Sequence, residues 1–174
     1  MAILKILQYP DARLKRIAVK VDRFDESIQK VIDDMFETHY SQENCAALAA
    51  TQLDIPIPWR ITVIDFSEAK NQPLCLVNPK IVECEGEQNE PEGCMSVYPG
   101  HCAEKVKRSL QIVVEAQDRH GAPLRIPAEG YMAKCIQHEI DHLDGYLYLD
   151  RIPSLKKERL LKNIKRLLRD KKNN

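Results

Sequence analysis

The chain is 174 residues long, 44% apolar and 30% charged, the balance of an ordinary soluble globular protein folded as one domain over residues 1–174. Its formal charge is zero, so overall charge selects no partner, but residues 155–174 carry nine Lys and Arg against Glu158 and Asp170, a basic tail behind an acidic body. No run approaches the roughly 20 apolar residues of a membrane span, and the apolar stretch after Met1 is short and broken by Lys5, unlike a secretion signal. A cytoplasmic protein is expected, with neither a membrane nor DNA as partner.

The first predicted helix is capped by Asp25 and presents Ile28, Val31, Ile32, Met35 and Phe36 on one face. The following SQENCAALAATQL is too rich in alanine and polar residues to read as a clear strand. ITVIDF (61–66), LCLVNP (74–79) and LQIVVEAQD (110–118) read as strands, and RHGAPLRI as a hairpin turn into another. From about Pro127 to His142 the spacing predicts a helix with Ala133, Ile136, Ile140 and Leu143 buried and Gly145 as its stop. A last amphipathic helix is expected from about Pro153 to Lys171, with Leu160, Leu161, Ile164, Leu167 and Leu168 on one side. Helix, several strands, then helices favours an α+β fold. The six cysteines, at 45, 75, 84, 94, 102 and 135, form no C-x-x-C pair and read as free thiols or metal ligands before disulfides.

The strongest chemical signal is His138-Glu139-Ile140-Asp141-His142. Residues four apart lie one turn apart on a helix, so both imidazoles can reach one ion, and Glu139 beside the first can meet a water there without ligating. A hydrolytic site needs a third protein ligand. The metzincin pattern would put a histidine where Tyr148 stands, and the gluzincin pattern a glutamate on a following helix, where only Glu158 is available in a basic segment. Neither endopeptidase class fits. His101 and Cys102 are adjacent and lack partners for a second site.

Upstream lies Glu92-Gly93-Cys94-Met95-Ser96. Here the chain resembles the peptide deformylases, whose motifs G-x-G-L-A-A-x-Q, E-G-C-L-S and H-E-x-D-H appear in order as CAALAATQ (45–52), EGCMS and HEIDH, together with the opening LQYPDARLKRIA. The resemblance covers nearly the whole chain. It implies antiparallel or mixed sheets around a central metal-binding helix, with Cys94 as third ligand beside His138 and His142. It also implies one divalent ion, usually ferrous iron, which zinc, nickel or cobalt can replace. By the same resemblance Glu139 acts as base and then acid, while the Gln52 side-chain amide and the Met95 N–H hold the formyl oxygen. Ala47, Leu48, Glu90, Tyr131, Lys134 and Cys135 would contact substrate, and Glu92 would pair with Arg108. The implied reaction releases formate from N-formylated nascent peptides. For the basic terminal helix two readings stand: a helix packed on the body with a solvated charged face, or docking on the ribosome.

The chain departs from the family pattern in two places. Cys45 and Ala47 replace motif glycines, whose role would be unusual backbone angles and close substrate approach. Glu90 and Lys134 stand at usually apolar pocket positions, either as a salt bridge across the pocket rim or as two exposed charges. These departures leave a runner-up, a deformylase-like homologue with an altered substrate pocket and weak or retargeted amidase activity. A non-enzymatic metal clip is disfavoured, because it would want four protein ligands and needs neither Glu139 nor Gln52.

Overall fold

The computed structural model describes residues 2–172; Met1 and the two asparagines that end the basic tail lie outside the described residues, as do the side chains of Lys171 and Lys172. The elements are α1 (Glu26–Ser41), β1 (Ala47–Ala49), β2 (Ile61–Ile64), β3 (Leu74–Glu85), β4 (Gln88–Glu92), β5 (Glu104–Arg108), β6 (Gln111–Gln117), β7 (Pro123–Glu129), α2 (Gly130–Leu143) and α3 (Ser154–Lys172). The strands form a five-stranded antiparallel sheet in the order β1-β2-β3-β6-β7 and a separate β4-β5 hairpin. This is the expected α+β architecture. No helix among the described residues is long and apolar enough to cross a membrane.

Strand β6 shows why the sheet has a buried face: Ile112, Val114 and Ala116 point inward while Gln111 and Glu115 are exposed. Against that face lies α2, whose Ala133, Ile136 and Ile140 pack with Ile112 and Val114. Helix α1 covers the other end of the sheet, with Ile28, Ile32 and Met35 against Ile61 and Val63. Its predicted cap is made, since the Asp25 carboxylate accepts from the N–H groups of Ser27 and Ile28. In α3, Leu160 and Ile164 pack with Val97, Leu147 and Tyr148.

Five elements differ from the expectation. The central helix starts at Gly130, not near Pro127, because β7 continues to Glu129 in register with β6 and pairs Pro127 with Val113. A proline is tolerated there because β7 is an edge strand. Gly130, at φ 55°, then swings the chain out of the strand and into the helix. Residues 47–49 do form a strand, paired to residues 62–64 and fully buried. Strand β3 runs past Pro79 to Glu85 through a register shift between Val77 and Lys80, with Asn78 in the left-handed region. Strands β4 and β5 were not foreseen; their charged sequences carry almost no apolar alternation.

Candidate metal centre

The site gathers where β1, the end of β4 and α2 meet. Helix α2 presents His138, Glu139 and His142 toward the short turn Ala50–Gln52 that follows β1, and Cys94 arrives two residues after β4. Backbone bonds from Leu7 N–H to Gln52 O (2.8 Å) and from Tyr9 N–H to Ser96 O (2.8 Å) stitch the two sides together. Thr51 Oγ1 donates to the His142 carbonyl at 2.9 Å and ties the turn to α2.

One ligand atom from each of Cys94, His138 and His142 lies within 4.8 Å of the others. His142 Nε2 is 3.2 Å from Cys94 Sγ and 3.2 Å from His138 Nε2. His138 Nδ1 donates to Glu92 Oε2 at 2.9 Å, which leaves its Nε2 lone pair facing the cluster. Burial would raise the Glu92 carboxyl, but His138 and Arg108 outweigh it and hold it at about 2, so Glu92 is an anion. The expected Glu92–Arg108 pair is two-pronged, at 2.8 and 3.0 Å.

The donor set fits a single divalent ion. Two imidazole nitrogens and a thiol sulfur converge with little hydrogen to share, and each can offer a lone pair. Beside them Glu139 is 3% exposed, and its Oε2 has no hydrogen-bond partner among the described residues. Burial pushes its carboxyl up to about 7, with His138 opposing and Glu92 adding to the shift. A buried, unpartnered carboxylate is costly unless something at the site uses it.

Gln52 is buried and fixed at both ends of its amide. Its Oε1 accepts from the Ala49 N–H at 2.8 Å, and its Nε2 donates to Ser96 Oγ at 3.1 Å and lies 3.5 Å from Cys94 Sγ. Met95 follows Cys94, and its carbonyl accepts from Gln8 Nε2 at 2.7 Å. A cleft of about 700 Å³ opens from this cluster and is lined by Ala47, Tyr131, Lys134 and Cys135 as well as Gln52, Met95, His138 and Glu139.

Two residues expected at substrate lie elsewhere. The Leu48 side chain is fully buried in the core beneath β1, since neighbours on a strand point to opposite sides and Ala47 takes the cleft side. Glu90 is exposed on β4, and Pro91 faces the cleft instead. The Glu90–Lys134 bridge is not made: the Lys134 ammonium donates to the Pro91 carbonyl at 3.0 Å and sits 4.9 Å from the centre of the Tyr131 ring. The glycine replacements cost no backbone strain, because neither Cys45 nor Ala47 has a positive φ and the left-handed residue of this loop is Asn44, at φ 56°. Burial raises the Cys45 thiol to about 12 and keeps it neutral. Among the described residues the ligand atoms that converge are those of Cys94, His138 and His142, and the buried Cys102 does not form a second site with His101. Ser96, Asp141 and Arg151, all close around the site, were not singled out in the sequence.

Three convergent Cys/His/His donors with a free buried carboxylate beside them define a mononuclear metal site of the hydrolytic class. The comparisons with known proteins agree. Residues 3–158 match the family model described as polypeptide deformylase. A peptide deformylase 1 of Coxiella burnetii is 58% identical over 170 residues, covering 98% of this chain and 99% of that one. The crystal structure of a peptide deformylase from Legionella pneumophila superposes with a TM-score of 0.89 at 40% identity, covering 99% of each chain. One from Ehrlichia chaffeensis, in complex with actinonin, gives 0.85 at 35% identity, covering 95% of this chain and 98% of that one. The chain belongs to the polypeptide deformylase family, metal-dependent hydrolases that remove the formyl group from the N-terminus of nascent polypeptides.

Proposed function

We propose that this chain hydrolyses N-formyl peptides with Cys94, His138 and His142 holding ferrous iron, and that the same donors accept zinc, nickel or cobalt. An ion held by these three residues would supply a more acidic water and draw electrons from the formyl carbonyl. Glu139 takes the proton of the attacking water on its free Oε2 as oxygen adds to the formyl carbon, then passes a proton to the amine nitrogen as the C–N bond breaks and formate leaves. A carboxyl raised to about 7 suits both steps near neutral pH. Gln52, whose oxygen is occupied by Ala49 and one of whose N–H groups donates to Ser96, has its second N–H left to donate to the formyl oxygen, and the Met95 N–H donates from the other side. The peptide continues along the cleft beside Ala47, where β1 is the edge of the sheet and has an unpaired side for an added strand.

The observation that carries this reading is the unpartnered Glu139 carboxylate beside the converged ligands. The test is formate release from a formyl-methionyl peptide by protein purified without oxygen and loaded with Fe²⁺ or Ni²⁺. Turnover that vanishes in Glu139→Gln, with metal content unchanged, is expected. No turnover at one bound metal per chain would overturn it.

The terminal helix also supports docking on the ribosome in the cytoplasm. Lys156 and Lys157 pair with Glu104 and Asp150, while Arg159, Lys162, Lys165, Arg166 and Arg169 are exposed away from the packed side. Binding through phosphates would weaken steeply with salt. Ribosome pelleting unchanged by deletion of residues 155–174 would refute it.

A further inference from the structure

A line of charged hydrogen bonds leaves the metal cluster and crosses three elements to the base of α3. It starts at His138 Nδ1, which donates to Glu92, and continues through the two-pronged grip of Arg108 on Glu92. Arg108 Nη1 then donates to Asp141 Oδ2 at 2.5 Å. From the far side Arg151 donates to both Asp141 oxygens, Nη2 to Oδ1 at 2.6 Å and Nε to Oδ2 at 3.0 Å. Glu92, Arg108 and Asp141 are buried, and only the outer end, Arg151, reaches solvent. Two carboxylates and two guanidiniums alternate along the line and cancel.

Burying three charges is a poor way to gain stability, because desolvation takes back most of the attraction, and an apolar replacement of the same volume is often as stable. What the line does provide is a fixed end point. The Glu92 carboxylate sets the ring orientation and tautomer of His138, and Arg108 can hold Glu92 in place only while its remaining nitrogen is itself engaged. The contrast with the second histidine is direct: His142 Nδ1 has no partner among the described residues, so His142 is held by packing and by its backbone bond to Thr51.

We propose that Asp141 and Arg151 are positioning residues for the metal site, acting on His138 through Arg108 and Glu92. Loss of Asp141 leaves a buried guanidinium nitrogen unpaired, and Arg108 shifts to satisfy it. Glu92 follows, and the His138 ring gains freedom about the geometry that the ion requires. The effect fades with distance along the line, being largest at Glu92, smaller at Asp141 and smallest at Arg151. The proposal rests on reading Cys94, His138 and His142 as the metal site.

The test uses full-length protein loaded with Ni²⁺, with bound metal per chain measured first and loss of metal to excess chelator followed next. About one Ni²⁺ per unmodified chain is expected; none would overturn the metal reading itself, and this proposal with it. Given binding, Asp141→Asn should lose metal ~10-fold faster and Arg151→Ala ~3-fold faster, with Arg151→Lys between Ala and the parent. Combining Asp141→Asn with Glu92→Gln should add little beyond Glu92→Gln alone, since both act on one path. Melting temperatures of the same variants separate position from stability. Variants that melt earlier but lose metal at the parent rate would show a structural network only and overturn the proposal. Fully multiplicative effects in the double variant would overturn it too. Should Asp141→Asn fail to fold, the Arg151 pair still decides, because that residue is at the partly exposed end.

Discussion

Gln52 and Ser96 sit on opposite sides of the cleft head, 44 residues apart in the chain, joined by a 3.1 Å hydrogen bond from the Gln52 amide to the Ser96 hydroxyl. With its oxygen already committed to Ala49, the Gln52 amide can only donate toward Cys94 and whatever lies beside it. A preorganised donor of this kind is worth more during attack than in the resting complex. We therefore expect Gln52→Leu to lower kcat by ~10²–10³-fold with little change in bound metal. Ser96→Ala, which removes only the neighbour that steadies the amide, should cost less than ~10-fold. Steady-state kinetics with metal content measured in parallel checks both, and a Ser96→Ala loss as large as that of Gln52→Leu would contradict this division of roles.

Gly145 ends α2 with φ 81°, and a Cβ there would stand 2.7 Å from the Lys15 carbonyl oxygen. Its own N–H closes the helix on the His142 carbonyl at 3.1 Å, so this turn holds His142 in place. Gly145→Ala combines left-handed strain with a backbone clash that no side-chain rotation relieves. It should destabilise the protein by about 2 kcal/mol or more, read as a fall in the midpoint of urea unfolding. A change below about 0.5 kcal/mol would mean that the Lys15 segment yields freely.

The difference between what the sequence discloses and what it hides follows sequence separation. Helices α1 and α3 and the buried face of α2 were legible because each repeats apolar residues at helical spacing, and His138, Glu139 and His142 came with α2. Pro127 misled because a proline ahead of a periodic segment is the usual sign of a helix start, whereas pairing with Val113, set by β6, keeps it in a strand. Strand β1 was hidden because alanine carries no strand preference and its pairing with residues 62–64 is not local. Cys94 could be joined to the histidines only through resemblance to a family. Nothing in the residues around Asp141 announces that Arg108, 33 positions away, completes it. Even the charge at Lys134, a clear departure in sequence, gives no sign that its ammonium turns to a carbonyl and a ring rather than to Glu90.

Asp150 gathers three donors at the base of α3: the Leu147 N–H at 3.0 Å, Lys157 at 2.8 Å and Lys15. Burial alone would raise its carboxyl, but these donors outweigh it and hold it at about 2. A carboxyl lowered by folding contributes stability above its unfolded value near 3.8, and that contribution is lost as pH falls toward 2. Asp150→Asn should thus unfold more easily at pH 7 by about 1 kcal/mol, a modest figure because the group is partly in water. The gap to the parent should hold down to about pH 5 and narrow below pH 4. Urea unfolding of both proteins from pH 7 to pH 3 measures it, and a gap independent of pH would show that the lost contacts are not ionic.

Lys134 occupies a cleft wall where an apolar side chain would be expected, yet its charge is already engaged. The ammonium donates to the Pro91 carbonyl and lies over Tyr131, so its methylene stem rather than its head is left to line the cleft. The pocket wall then combines the Lys134 stem with Cys135 and Tyr131, a lining that suits an unbranched apolar side chain such as methionine. Lys134→Met should accordingly change KM for formyl-methionyl peptides by less than ~3-fold, because one flexible apolar stem replaces another. Had the ammonium projected into the pocket, formylated peptides with an acidic first residue would be favoured in the parent and lose that preference in the variant. A comparison of formyl-Met with formyl-Glu peptides on both proteins separates the two, and a parent that prefers formyl-Glu would show that Lys134 leaves Pro91 when substrate enters.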